Sequence, residues 1–504
     1  MRLRNKSQVG VEYARGVTSV ADPEAIRTHP GPGPRTWVSA AVSAVFAFVV
    51  NVIGVGIPVA WQDEGATWIV NQRSLPQFFS LLRDVDAVHG VYYLIMRAWQ
   101  HVAGDSVIGL RMFSVVVVAL GAGLAVLLAS ELFGDRSALW AGLAYAVLPQ
   151  ATWGAIEARS YVFSATAVTA AMLAFWIAVR VRRWYAWAAY SVLLAFSVHV
   201  FMFGALAFVG LGLAIFFFDR RAVRGAIIST AAGIVACVPF VVFAMRQSGQ
   251  VDWIRQYTYG PESYLVTTLW GGTALAKWAG SAILVTVLGW AVWSARRRDL
   301  RAGLFATIGW LVMPTAILVA GSPIGLLYIP RYVTVSFPAL ALLIGFAVGC
   351  LPRAWQRWTA LAVVFAVCTP AYLGWRQVDA KPSTLEAINV LDARSKPGDG
   401  LYIVKRDVNE TPWAFPDRLQ NLTILSANTG KDWRWKTLSQ PSLPVAKIAD
   451  KLTGYDRVWL FAAKYYDVAP VEADFAARGF VKADEVTTTS GLAVTLVLME
   501  RPRR

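Results

Sequence analysis

Two adjacent carboxylates, Asp63 and Glu64, stand in "WQDEGATW", directly after an apolar segment long enough to cross a bilayer. A carboxylate at such an edge can take the proton of an attacking hydroxyl. Two arginines belong to similar edges: Arg159 in "GAIEARSYVFS", with Glu157 and Tyr161, and Arg331 in "GLLYIPRYVTVSFPAL", followed by Tyr332. A guanidinium bonds two phosphate oxygens at once, so arginines suit an anionic leaving group. In the stretch "HGVYYLIM", His89, Tyr92 and Tyr93 share one face if the segment is helical.

One carboxylate plus arginines is the set expected for attack on an anomeric carbon that expels a phosphate. The nucleophile needs a base, and the departing phosphate needs cations but no proton donor. Hydrolysis of an ordinary glycoside calls instead for two carboxylates flanking the bond. Either Asp63 or Glu64 can serve as the base on this reading. Taken singly, each residue has a plainer explanation as a solvated acid, an interfacial anchor or a packed ring. Their sharing of one side, in a chain this poor in charge, is what sets them apart.

The elements that must position them are membrane spans. The chain has 504 residues, 57% hydrophobic and 15% charged, where soluble domains carry about 25% charged residues. Apolar runs fall at 36–60, 107–133, 138–156, 161–179, 185–199, 202–218, 225–245, 264–294, 302–320, 332–350 and 358–374, which suggests about eleven spans. The net charge of +16 would suggest a nucleic-acid partner in a soluble protein, but here it concentrates in short loops. Residues 1–35 carry Arg2, Arg4, Lys6, Arg15, Arg27 and Arg35, and read as a cytoplasmic tail. With that end inside, "GDRS", "RVRRWY", "DRRAVR", "SARRRDLR" and "PRAWQRW" are also inside and hold thirteen Lys/Arg. The large loop 61–106 and everything after Trp375 are then outside. Within that loop, Leu81, Leu82 and Val85 oppose Arg83, Asp84 and Asp86, a pattern that suits a helix lying in the interface plane.

Residues 36–375 thus form the membrane domain and 376–504 an exported one, with 19 Lys/Arg and 16 Asp/Glu. There "GDGLYIV", "DRVWLFAA" and "LAVTLVLME" read as strands. "PSTLEAINVLDA", "PVAKIADKLTG" and "VEADFAARGF" read as helices, so the expected class is a small α/β domain. The triplets "NET" and "NLT" read as ordinary loop residues. Cys237, Cys350 and Cys368 all sit in apolar runs, and the four histidines lack ligand spacing, so no disulfide framework or metal cluster is visible. A divalent cation held by one carboxylate and a phosphate stays compatible with the set.

The "DE" pair, "HGVYYLIMRAWQHVAGDSVIGLRMFS" before a long span, "EARSYVFS" and "PRYVTVSFPALALL" together make the chain resemble the C-type glycosyltransferase superfamily. The likeness is greatest to the branch of protein O-mannosyltransferases, aminoarabinose transferases and bacterial envelope glycosyltransferases, and it covers residues 36–350. His89 is followed by Gly90 where related sequences often have proline. The resemblance implies a multi-pass enzyme of the bacterial plasma membrane. Such an enzyme moves mannose or another sugar, with inversion, from a polyprenyl-phosphate donor to a hydroxyl of a lipid, glycan or protein acceptor on the outer face. It makes Asp63 the base candidate, with Glu64 the adjacent alternative. It makes His89, Tyr92, Arg159, Tyr161, Arg331 and Tyr332 candidates for binding donor phosphate and substrate. A transporter or lipid flippase, or a non-enzymatic envelope scaffold, is the alternative; transporters characteristically carry midplane charges and repeated halves.

Overall fold

Apolar residues dominate positions 34–52, and they form helix α1, Pro34–Val52. The computed structural model describes residues 31–256, 263, 268–321, 328–404, 411–427, 432–438 and 441–502. Most of the cytoplasmic tail expected over 1–35, and most of the "NET" triplet, lie outside the described residues.

Eight helices among the described residues are long and apolar enough to cross a membrane. They span Pro34–Val52, Val107–Phe133, Tyr161–Val181, Arg220–Met245, Ala276–Ser294, Arg298–Ala320, Pro330–Gly349 and Ala354–Gly374. The chain is a multi-pass helical membrane protein with a small C-terminal sheet domain.

Three of the eleven apolar runs make shorter or broken elements, for local reasons. The run at 138–156 stops as a helix at Val147 and restarts at Pro149, whose ring disfavours helical backbone just before it. The run at 185–199 gives a helix of 17 residues. The run at 202–218 breaks into short turns around Gly204, Gly210 and Gly212. Gly210 also permits a close approach: a Cβ there would lie 2.3 Å from the backbone nitrogen of Trp310. Small residues at helix crossings replace the hydrophobic drive that lipid cannot supply. Gly345 plays the same part, since its Cβ would lie 2.5 Å from the Ala141 nitrogen.

In chain order the elements near the first outside loop are α2 (Gln62–Asn71), α3 (Leu75–Asp84), α4 (Gly90–Ala103), α5 (Val107–Phe133), α6 (Asp135–Val147), α7 (Pro149–Ala155), α8 (Tyr161–Val181) and α9 (Trp184–Val200). Helix α5 is central and packs on α1, α6 and α8. Helix α3 is the amphipathic segment expected from the loop sequence; it buries Gln77, Phe78 and Leu81. Ser74 and Gln77 close its start as a reciprocal capping box.

The C-terminal domain carries a five-stranded mixed sheet in the order β2-β1-β3-β5-β4. The strands are β1 (Gly400–Ile403), β2 (Thr423–Ile424), β3 (Arg457–Ala463), β4 (Val481–Thr487) and β5 (Val494–Glu500). Strand β1 runs parallel to β2 and β3, while β5 is antiparallel to β3 and β4. The central strands β1, β3 and β5 are the continuous apolar runs of the sequence. Strand β4, "VKADEVT", is an edge with mostly exposed residues, so it has no apolar pattern to announce it.

Candidate active site

Helix α2 begins at the residue pair with which the sequence raised the question of chemistry. Trp61, in extended backbone, precedes it, and Asp63 and Glu64 fill its first turn, where carboxylates offset the positive end of the helix dipole. Successive residues on a helix point apart by about 100°, and the two acids accordingly have different surroundings.

Glu64 is wholly buried. Arg111, within α5, donates to it through Nε at 2.8 Å and Nη2 at 2.7 Å. The Lys381 ammonium lies 2.9 Å from Oε2, and the Ala158 backbone N–H donates to Oε1 at 3.1 Å. Burial by itself would raise the pKa of this carboxyl, but the charges of Arg111 and Lys381 outweigh it and hold the group down to about 2. Its oxygens are occupied from the protein side, so it fixes structure.

Asp63 faces a cavity instead. One carboxylate oxygen lies 3.2 Å from Arg331 Nη1. Arg159 Nη1 donates to the Asp63 backbone carbonyl at 3.3 Å and to the Tyr93 hydroxyl at 2.9 Å. Its Nη2 meets His89 Nε2 at 2.9 Å, and His89 Nδ1 meets Ser160 Oγ at 2.8 Å. Burial, and then the Arg159 charge, push the His89 pKa well below its ordinary value, so the ring is neutral and its Nε2 accepts from the guanidinium. The ring also stacks on Phe201 at 5.4 Å. Tyr93 donates to Asp86, which holds a left-handed backbone at φ 62° and is tied to Gln250 through its N–H. Asparagine and aspartate tolerate that conformation better than bulkier residues.

Arg331 is walled by aromatic faces: Trp61, Tyr161 and Trp253 lie 5.7, 6.0 and 5.5 Å from its guanidinium carbon. Among the described residues its buried Nε has no hydrogen-bond partner, and neither has the Nε of Arg159. Tyr332 stacks on Phe203 with centroids 4.6 Å apart.

Asp63, Asp86, His89, Arg159, Tyr161, Phe201, Arg331 and Tyr332 all line one cavity of about 510 Å³. A second cavity, about 610 Å³ and lined almost wholly by apolar side chains such as Phe175, Leu194, Val198 and Val241, lies between α8, α9 and Arg220–Met245. The two are neighbours along that last helix: Val241 and Val242 line the apolar one, Ala244 and Met245 the polar one. The polar cavity thus gathers a carboxylate and two arginines, with the apolar cavity next to it along one helix. Of the candidate residues, Tyr92 and Glu64 stand outside it. Tyr92 is fully buried and packs against Tyr93 and Phe113. Among the described residues, no three His, Cys, Asp or Glu side chains gather as a cation cage.

Two crystal structures of ArnT from Cupriavidus metallidurans share this architecture. The apo form matches at 15% identity and a TM-score of 0.58, over 91% of this chain and 97% of that one. The form bound to undecaprenyl phosphate matches at 15% and 0.58, over 92% and 98%. The Archaeoglobus fulgidus oligosaccharyltransferase tethered to an acceptor peptide matches at 11% identity and a TM-score of 0.50, over 88% of this chain and 70% of that one. The chain shares the fold of these proteins. No family model and no curated protein matches its sequence.

Several residues of the site are not singled out by the sequence. Arg111 carried a signal, being a charge inside a 27-residue apolar helix, where an ionisable group is costly unless paired. Nothing in the sequence sets Trp61 or Trp253 apart, and Asp86 reads there as part of the polar side of the amphipathic segment. Lys381 carried no signal at all, because it lies in ordinary soluble sequence past the last span.

Proposed function

We propose that this chain is a membrane glycosyltransferase that moves a sugar from a polyprenyl-phosphate donor to an acceptor hydroxyl, with Asp63 as general base. The observation that carries the reading is the convergence of Asp63, Arg159 and Arg331 on one cavity. These residues are far apart in sequence, and their cavity adjoins an apolar groove. The fold shared with a protein crystallised with undecaprenyl phosphate supports it further.

The geometry suits the chemistry. At rest Arg331 is the partner of Asp63. A donor phosphate entering the cavity competes for that guanidinium, and a bidentate arginine–phosphate contact is strong. Release of Arg331 leaves the carboxylate free to accept the hydroxyl proton as the acceptor attacks the anomeric carbon. Attack opposite the leaving phosphate inverts the centre. Arg331 and Arg159 then stabilise the phosphate as its charge grows, in a site where aromatic walls limit water. His89 fixes Arg159 rather than moving protons, because it is held neutral by burial and by that arginine. Tyr161 and Tyr332 shape the wall beside the sugar, and the apolar groove takes the polyprenyl chain. The same reading puts residues 1–35 in the cytoplasm, the cavity and residues 376–504 on the outer side of a bacterial plasma membrane, and mannose among the candidate sugars.

The test is transfer or hydrolysis of radiolabelled polyprenyl-phosphate sugars by purified protein in lipid nanodiscs. Mannose, arabinose and glucose carriers are compared, with membrane extract supplying acceptors. Release of free polyprenyl phosphate that depends on the protein is expected for at least one carrier. No turnover of any carrier, with no binding of polyprenyl phosphate, sinks the proposal.

A further inference from the structure

One ammonium from beyond the last span is paired with the acid next to the candidate base. Lys381 follows the helix Ala354–Gly374 by seven residues, yet its side chain is completely buried in the membrane domain. Its Nζ is 2.9 Å from Glu64 Oε2 and 3.2 Å from Glu157 Oε1, and it also donates to the Ile156 carbonyl. Burying an ammonium is costly unless it is paired and hydrogen-bonded, and this one is both. Glu64 and Glu157 belong to the two segments that build the cavity. The first is α2, which carries Asp63. The second is the stretch 156–159, which ends in Arg159.

Other bonds show that these two segments are registered against each other. The Ala158 N–H donates to Glu64 at 3.1 Å, the Thr67 hydroxyl donates to the Ala158 carbonyl at 2.7 Å, and Arg159 donates to the Asp63 carbonyl at 3.3 Å. Trp61 Nε1 donates to Glu157 at 3.1 Å, and the Trp61 ring faces Arg331. Lys381 thus bridges the two segments from the side away from the cavity. The linker is itself anchored there, since the Val59 N–H donates to the Val378 carbonyl at 3.0 Å and Arg376 Nε donates to the Ile53 carbonyl at 3.1 Å.

We infer that Lys381 is a positioning residue: through this ammonium the C-terminal domain holds α2 and the 156–159 segment in the register that sets Asp63 beside Arg159 and Arg331. The kinetic half of this inference rests on the glycosyltransferase reading, while the structural half does not. When Lys381 is removed, Arg111 keeps Glu64 paired and the Trp61 N–H keeps its bond to Glu157, so what is lost is the one group that joins both carboxylates.

The experiment uses full-length Lys381→Met in nanodiscs, with Lys381→Gln as the variant that keeps a buried donor should the methionine form not fold. Hydrogen exchange of peptides covering 62–71 and 156–161 is measured beside peptides of β3 and β5, together with kcat and donor KM. Exchange in the two segments is expected to quicken at least tenfold while β3 and β5 stay unchanged. The kcat is expected to fall at least tenfold with donor KM within about threefold. Unchanged exchange in 62–71 overturns the inference whatever the activity. Quickened exchange with wild-type kcat overturns the positioning role. Quickened exchange in a protein whose wild type turns over no donor keeps the clamp and removes the glycosyltransferase reading instead.

Discussion

Asp63 and Glu64 are neighbours of one chemical type, and their environments divide their work. Asp63→Asn keeps size but removes proton acceptance, so turnover should fall about 10²-fold or more while donor binding changes little. Single-turnover transfer and equilibrium binding on the purified variant check this, and near-normal turnover moves the role elsewhere. Glu64→Gln should act on folding: it leaves Arg111 buried without its carboxylate and Lys381 with Glu157 as its remaining one, a loss of about 3–5 kcal/mol. The measurement is thermal unfolding in detergent. Glu157 gives a pH signature. Burial chiefly, and then the charges of Glu64 and Asp63, raise its carboxyl to about 7 against the partial offset of Lys381. Its ordinary value is 4.5, so folding favours the protonated form. The stability it contributes is complete below 4.5 and is lost as pH rises through about 7. The Tm should therefore decline between pH 5 and 7.5 in the wild type, and Glu157→Gln should flatten that decline.

Elements matter because each arginine is presented by a turn where a helix begins. Arg159 lies two residues before α8, and Arg331 lies in the tight turn Pro330–Ser336 that leads into the helix Phe337–Gly349. Arginine at a membrane edge that only anchors its helix can be replaced by lysine, since both side chains reach to the interface. A guanidinium that grips a phosphate with two nitrogens cannot. Arg331→Lys should weaken polyprenyl-phosphate binding at least tenfold with unchanged melting, and Arg159→Lys should act through the loss of its joint hold on His89, Tyr93 and the Asp63 carbonyl. Wild-type binding and turnover in both variants identify them as anchors.

At the scale of the whole molecule, the C-terminal domain belongs to the site. Lys381 enters the ion cluster, Trp413 stacks on Trp68 at 5.5 Å, and Arg73 donates to the carbonyls of Arg434, Thr437 and Leu438. Leu438 in turn lines the cavity beside Asp63. On the proposed function the cavity receives its donor from the outer leaflet, and this domain is then exported. A reporter active only in the cytoplasm, fused after Arg504, should be silent, and a phosphatase active only outside should work there. The opposite pair of results reverses the topology.

Composition and periodicity by themselves determined the membrane class, most of the spans and the three central strands. Each of these rests on a local property, the apolar run or its interruption, that survives without knowledge of neighbours. The same local reasoning singled out the Asp63–Glu64 pair, Arg159 and Arg331, because a charge at the edge of an apolar helix is conspicuous wherever the rest of the chain goes. Only the tertiary structure decided which of two adjacent acids faces the cavity, because that depends on the azimuth at which α2 docks. Only it brought Asp63, Arg159 and Arg331 within reach of one another, and only it turned Tyr92 away from them. Lys381 marks the limit most sharply: its role comes from a contact 317 positions distant in the chain, and a lysine in soluble sequence looks the same whether it points to water or into the heart of the site.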